Sequence, residues 1–202
     1  YEMAWDYYEK PWSEVKQDVI FQRLPILVVD NEIEIWQSNA ISRYIAKITN
    51  NIPDNKEMAA YADSIFESAH DLFYPLNPTI NVFVGENHLK HKKNLIDDIL
   101  PKAFNNFEKL LQKYEGNFFL GDQVFYCDFN VYHHLSLSLL LEKKVLDNYP
   151  KLKKFMIDFE ALEGIKSYLE SRADLVDIGT WPKVIIDGEE YTSGTNPSYK
   201  YL

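Results

Sequence analysis

A chain of 202 residues that is 46% hydrophobic and 26% charged has the composition of a folded globular protein with one or two cores. A formal net charge of −10 argues against nucleic acid or an anionic membrane as the main partner. The lone cysteine, Cys127, has no partner for an internal disulfide, so it reads as a small buried residue in a reducing, cytoplasmic setting.

No run approaches the ~18 apolar residues of a membrane span. Tyr1–Lys10 has neither the basic nor the apolar region of a signal peptide, and it begins without Met, which reads as an N-terminus other than the natural one.

In chain order, the first element pair is a β-hairpin. Ile26-Leu27-Val28-Val29 follows Pro25, Asp30-Asn31 is a turn signal, and Ile33 and Ile35 alternate with Glu32 and Glu34. Ser38 then starts a helix carrying Ala40, Ile41, Tyr44 and Ile45. A boundary falls near Asn50-Asn51-Ile52-Pro53, and beyond it the pattern is helical. Ala59, Ala62, Ile65, Phe66, Ala69, Leu72 and Phe73 form one stripe, which Pro75 and Pro78 end or kink. A long helix is predicted from Lys90 to Tyr114, kinked at Pro101 and stopped by Gly116. Asp128–Leu141 is apolar all round and reads as a buried central helix. Helices over 150–162 and 164–172 follow. The last 30 or so residues carry Gly179, Pro182, Gly188, Gly194 and Pro197, with one hairpin-like run, Val184 to Gly188.

Three stretches carry a resemblance. They are Phe21-Gln22-Arg23-Leu24-Pro25-Ile26-Leu27-Val28-Val29-Asp30, Gln37-Ser38-Asn39-Ala40-Ile41-Ser42-Arg43-Tyr44-Ile45, and Asp122 to Asp128. Together they are similar to segments of the cytosolic glutathione transferases, nearest to the sigma-like group that includes haematopoietic prostaglandin D synthases and some protozoan enzymes. The resemblance runs from Tyr1 to about Arg172. It implies an α/β thioredoxin-like N-terminal domain over 1–50, an all-α C-terminal helical domain over 54–172, and an extension over 173–202.

It also implies roles. Pro25 would be a cis-proline, with Leu24 offering its backbone N–H and C=O to the cysteinyl unit of glutathione as a short added strand. Gln37 and Ser38, at a helix N-terminus, would receive the γ-glutamyl carboxylate. Trp12 and Lys16 resemble a Trp-x-x-x-Lys pair that holds the glycine end. Asp71 resembles a carboxylate reaching across a homodimer to the γ-glutamyl amine, and Phe73 falls near the pocket for the second substrate. By residue type alone, Ser38 is equally a helix cap, Trp12 a packing aromatic, and Lys16 and Asp71 surface charges. His133-His134 reads as packing and not as a metal site.

The catalytic tyrosine of the resembling enzymes has no match in this sequence. The resemblance places Tyr1-Glu2 at the start of the second strand, so that the first strand and helix, with their tyrosine, are absent. Lys183-Val184-Ile185-Ile186 has the strand character to fill such a gap, and Asp128 is expected to cap its helix because Phe125 cannot. The implied activity is conjugation of glutathione to small electrophiles, or an isomerisation with glutathione as cofactor. The other reading is a non-catalytic binding or structural protein of the same fold.

Overall fold

The computed structural model describes residues 8–186 and 188–192. Tyr1-Glu2, Tyr7, Asp187, Gly194 and Pro197 lie outside the described residues. The chain divides into two compact units, with the division after Asn50.

The first unit opens with a short helix, α1 (Trp12–Val15), and a 3₁₀ turn over Lys16–Asp18. Strands β1 (Ile26–Val29) and β2 (Ile33–Trp36) pair antiparallel, with Ile26 opposite Trp36 and Val29 opposite Ile33. Asp30 and Asn31 turn the hairpin at φ 52° and 57°, left-handed values that short polar side chains tolerate and that match the twist of the strands. The expected alternation on β2 is only partial. Ile33 is exposed, while Ile35 and Trp36 are both half-buried. Helix α2 (Ser38–Ile48) packs on the hairpin, and its Ala46 is buried.

The second unit is helical: α3 (Lys56–His70), α4 (Phe73–Asn81), α5 (Gly85–Asn94), α6 (Leu100–Leu110), α7 (Tyr126–Leu141), α8 (Pro150–Glu160) and α9 (Glu163–Ser171). Asn55 caps α3 by accepting the Met58 N–H at 2.8 Å. The wholly buried Ala62 and Ala69 let α3 lie close against α7, where Val131 and Leu135 are equally buried. Phe107, Phe119, Phe155 and Phe159 continue the core as successive ring contacts of 6.0, 5.2 and 5.8 Å between centroids. Helix α7 is buried on most of its surface, but Phe129 and Leu140 reach solvent.

Three expectations are corrected. Pro75 and Pro78 do not end the first helical stripe. Helix α3 stops at His70, and α4 restarts at Phe73 so that Pro75 sits in a first turn, where its missing N–H costs nothing. The helix predicted over Lys90–Tyr114 is two helices joined by a π turn, Leu95–Ile99, in which the Leu100 N–H bonds to the Leu95 carbonyl. This wider turn lies just before Pro101 and relieves the crowding of its ring against the carbonyl four residues back. Helix α6 then ends at Leu110, and Gly116 lies in the turn that follows, packed against Gly121.

The Lys183–Ile186 run does not fill a gap in the first unit. As β4 it pairs antiparallel with β3 (Asp174–Val176) and β5 (Glu189–Thr192), a three-stranded sheet in the second unit. Among the described residues no helix is long and apolar enough to cross a membrane.

Candidate functional site

The β1–β2 register decides which residues meet at the hairpin's open end. Ile26 pairs with Trp36, so the ladder ends where Leu24-Pro25 and Gln37-Ser38 leave the two strands at the same end of the hairpin. All four line one small cleft of about 50 Å³, together with Phe21, Arg23 and Trp36. The cleft can seat only part of a drug-sized ligand, since whole-ligand pockets run to several hundred Å³.

The Leu24–Pro25 peptide is cis. Gln37 has φ 72° and ψ 119°, a left-handed backbone outside the usual region for a side-chain-bearing residue. This conformation turns the chain from β2 directly into α2 and makes Ser38 the first helical residue, while the cap position falls to Gln37. Gln37 makes no side-chain cap to the helix. The N-terminus of α2, with the positive end of its dipole, therefore borders a cleft that Arg23 also lines. Both favour an anion, with a carboxylate the natural size. Two of the lining residues are aromatic. Phe21 meets Trp36 edge-on at 5.3 Å, and the Trp36 indole N–H is buried without a hydrogen-bond partner.

Of the expected binding residues, then, Leu24, Pro25, Gln37 and Ser38 are brought together. Trp12 and Lys16 lie on and just after α1 and do not line this cleft. Trp12 is half-buried with its ring 6.4 Å from that of Tyr8, and Lys16 is exposed. Asp71 and Phe73 belong to the second unit. Asp71 is exposed at the C-terminus of α3, and Phe73 begins α4, 38% exposed and stacked on His70 at 5.3 Å. Phe21, Arg23 and Trp36 were not singled out from sequence as site residues. The register that brings Trp36 next to the cleft could have been counted outward from the Asp30-Asn31 turn.

His133 and His134 diverge. His133 is exposed and His134 is 1% exposed, their rings 82° apart. Among the described residues no group of three or more His, Cys, Asp or Glu side chains is arranged to hold a metal.

Residues 4–47 match the family model described as Glutathione S-transferase, N-terminal domain. Residues 70–172 match the one described as Glutathione S-transferase, C-terminal domain. The chain is 32% identical over 164 residues to a protein named Glutathione S-transferase P of Caenorhabditis elegans, covering 80% of this chain and 76% of that one. It is 35% identical over 168 residues to Glutathione S-transferase Mu 3 of Homo sapiens, covering 82% and 72%. Among solved structures, it superposes on the Pi-class glutathione S-transferase of Onchocerca volvulus with a TM-score of 0.72 at 30% identity, covering 80% of this chain and 76% of that one.

Proposed function

The chain belongs to the glutathione S-transferase family, and from that premise we propose that its first-unit cleft is the seat of the γ-glutamyl–cysteinyl part of glutathione. The observation that carries this reading is the convergence of Leu24, Pro25, Gln37 and Ser38 on one cleft at the N-terminus of α2. Glutathione is the family's thiol substrate, and the family is one of transferases. Its γ-glutamyl end bears a carboxylate, which suits a helix N-terminus with Arg23 beside it. The cysteinyl unit then lies along Leu24, two residues before the start of β1.

In the reaction the thiol loses its proton to solvent, and the sulfur lone pair forms a carbon–sulfur bond with the electrophile. In a substitution, the leaving group departs with its electron pair. Trp12 and Lys16 serve the glycine end of glutathione. That pairing supports a sigma-like placement within the family and leaves room for an isomerase in which glutathione is regenerated. Phe73 contributes to the electrophile's pocket. A homodimer completes the site, the Asp71 carboxylate of a second copy receiving the γ-glutamyl amine.

The test is calorimetry with glutathione. Ser38→Ala should weaken binding by about 1 kcal/mol, as expected for one hydrogen bond. A Gln37→Ala, Ser38→Ala double variant should weaken it further. Unchanged affinity in the folded double variant overturns this seat. Glutathione binding with no turnover of any electrophile would favour the non-catalytic reading.

A further inference from the structure

Helix α3 ends at His70 and α4 begins at Phe73, so only Asp71 and Leu72 join two helices that both pack against α7. Three imidazoles stand in series across that interface. The His134 ring, on α7, lies 6.2 Å from the His70 ring and 5.1 Å from that of His133. His70 is also stacked on Phe73 at 5.3 Å, so it touches both sides of the link. His134 is 1% exposed, whereas His70 is half-buried and His133 is exposed.

His134 Nδ1 lies 2.8 Å from the Asn130 carbonyl oxygen, an acceptor, so Nδ1 carries the proton and donates. Nε2 is then a bare acceptor, buried and without a hydrogen-bond partner among the described residues. A proton arriving at Nε2 creates a second donor and a full charge, with no acceptor to answer either. On α7, His133 adjoins the ring, and on α3, His70 stands against it. Each repels a charge on His134 once it is itself protonated. The acids of the packed elements are engaged or exposed. Asp63 on α3 accepts the Tyr126 hydroxyl, Glu160 on α8 accepts that of Tyr132, and Glu67 and Asp71 are exposed. From α4 the titratable side chain is Tyr74, edge-on to His70 at 6.0 Å. Burial is the main cause that lowers the His134 pKa from 6.5 to about 4, with His133 and His70 adding to it and the Asn130 carbonyl opposing.

We propose that His134 is an acid-operated latch: protonation of its Nε2 releases the α3–α4 link from α7, while the rest of the helical unit stays packed. A buried charge without a partner is relieved by separating the elements that cover it, after which water accepts from Nε2 and the imidazoles no longer repel one another in a dry interface. The folded pKa lies below the ordinary one, so this contribution to stability is whole above pH 6.5 and is lost as pH falls toward 4. His133 adds to the same trend, since burial and then Arg172 lower its pKa. The released segment carries Asp71 and Phe73. In the reading proposed above these two serve the site, so acidification silences it, and that consequence alone rests on the reading.

The experiment follows amide hydrogen exchange of the full chain at pH 7 and pH 5, each rate divided by the intrinsic rate at that pH. It uses no glutathione, so its failure is distinguishable from failure of the glutathione seat. Protection over residues 66–76 should fall by about 20-fold from pH 7 to pH 5, as expected for one group whose pKa moves from 6.5 to about 4. Residues 104–110 of α6 should keep their protection within about twofold. In His134→Leu, which cannot take the proton, the fall over 66–76 should shrink to about fivefold or less, the share left to His133. Asp128, at the N-terminal end of α7, is common to both proteins and cancels in this comparison. Unchanged wild-type protection over 66–76, an equal fall over 104–110, or an undiminished fall in folded His134→Leu each overturns the proposal. Should His134→Leu fail to fold, His134→Gln takes its place, and the wild-type contrast between the two segments still decides.

Discussion

The carboxylate of Asp128 accepts the backbone N–H of Phe125 at 2.8 Å, and its other oxygen accepts the N–H of Phe119 at 3.0 Å. One fully buried side chain thus caps α7 and pins the loop before it. Burial raises its pKa to about 6 from 3.8, although both N–H groups pull it down. Because the folded value lies above the ordinary one, the folded state holds this proton more tightly. Its contribution to stability is largest below pH 3.8 and declines as pH rises to about 6, by of the order of 3 kcal/mol at about 1.4 kcal/mol per pKa unit. Asp128→Asn keeps one acceptor oxygen, loses the other and no longer titrates. Urea melts should show wild type more stable than Asp128→Asn, with the gap narrowing as pH rises from 4 to 7. A gap that widens with pH would show that the hydrogen bonds, and not burial, control this group.

Glu108 performs the corresponding task for α8. Its two oxygens accept the N–H groups of Lys151 and Leu152, each at 3.0 Å. Pro150, the first helical residue, has no N–H to offer, so these are the first donors the helix must satisfy. Glu108→Ala should cost about 1–2 kcal/mol, the usual worth of a cap with favourable dipole charge. Glu108→Gln should fall between the two. Denaturant midpoints for the three proteins check the order, and an Ala variant as stable as wild type contradicts it.

The parts of this fold that were legible in sequence are those fixed by neighbours along the chain. The Asp30-Asn31 turn, the helix beginning at Ser38 and the Asp128 cap each depend on a few adjacent residues, and each could be read off them. The break after His70 was misplaced because Pro75 constrains where the next helix can begin, and only indirectly where the previous one ends. The π turn before Pro101 is hard to read from sequence, since a single inserted residue steps the stripe once and leaves the 3.6-residue period unchanged on either side. Strand β3 was missed because three residues carry too little alternation to be recognised without their partner. At the candidate site, the motif residues Leu24, Pro25, Gln37 and Ser38 were legible, whereas Phe21 and Arg23 came from a loop whose course local sequence does not determine.

The three-stranded sheet over 174–192 is fastened to the helices at Gly179. Its carbonyl accepts the Gly85 N–H at 2.8 Å, and its φ of 84° brings its Cα against the His88 ring. A Cβ there would lie 2.5 Å from His88 Cδ2, while one on Gly188, at φ 82°, would meet nothing within 4 Å. Both Gly→Ala changes force an L-residue into left-handed backbone at about 1–2 kcal/mol. Only Gly179→Ala adds a clash, worth about 1–3 kcal/mol more. Gly179→Ala should therefore be the less stable of the two, with faster hydrogen exchange at β3 and β4. Equal stability would show that His88 moves aside at no cost.

The last prediction separates the two ends of glutathione. If Lys16 serves the glycine carboxylate, its loss matters only when that carboxylate is present. Lys16 is exposed, so solvent screens the pair, and the expected worth is about 0.2–1 kcal/mol. Lys16→Ala should thus weaken glutathione by about 1.5- to 5-fold, as about 1.4 kcal/mol is tenfold. It should leave γ-glutamylcysteine, which lacks the glycine, unchanged. Ser38→Ala should weaken both ligands alike, because both carry the γ-glutamyl carboxylate. Raising salt should shrink the Lys16 effect, since the ion pair is screened, and should shrink the Ser38 effect less. Calorimetry of two ligands on three proteins at two ionic strengths reads all of this. Equal loss of both ligands in Lys16→Ala would remove Lys16 from the glycine end and leave it as a surface charge.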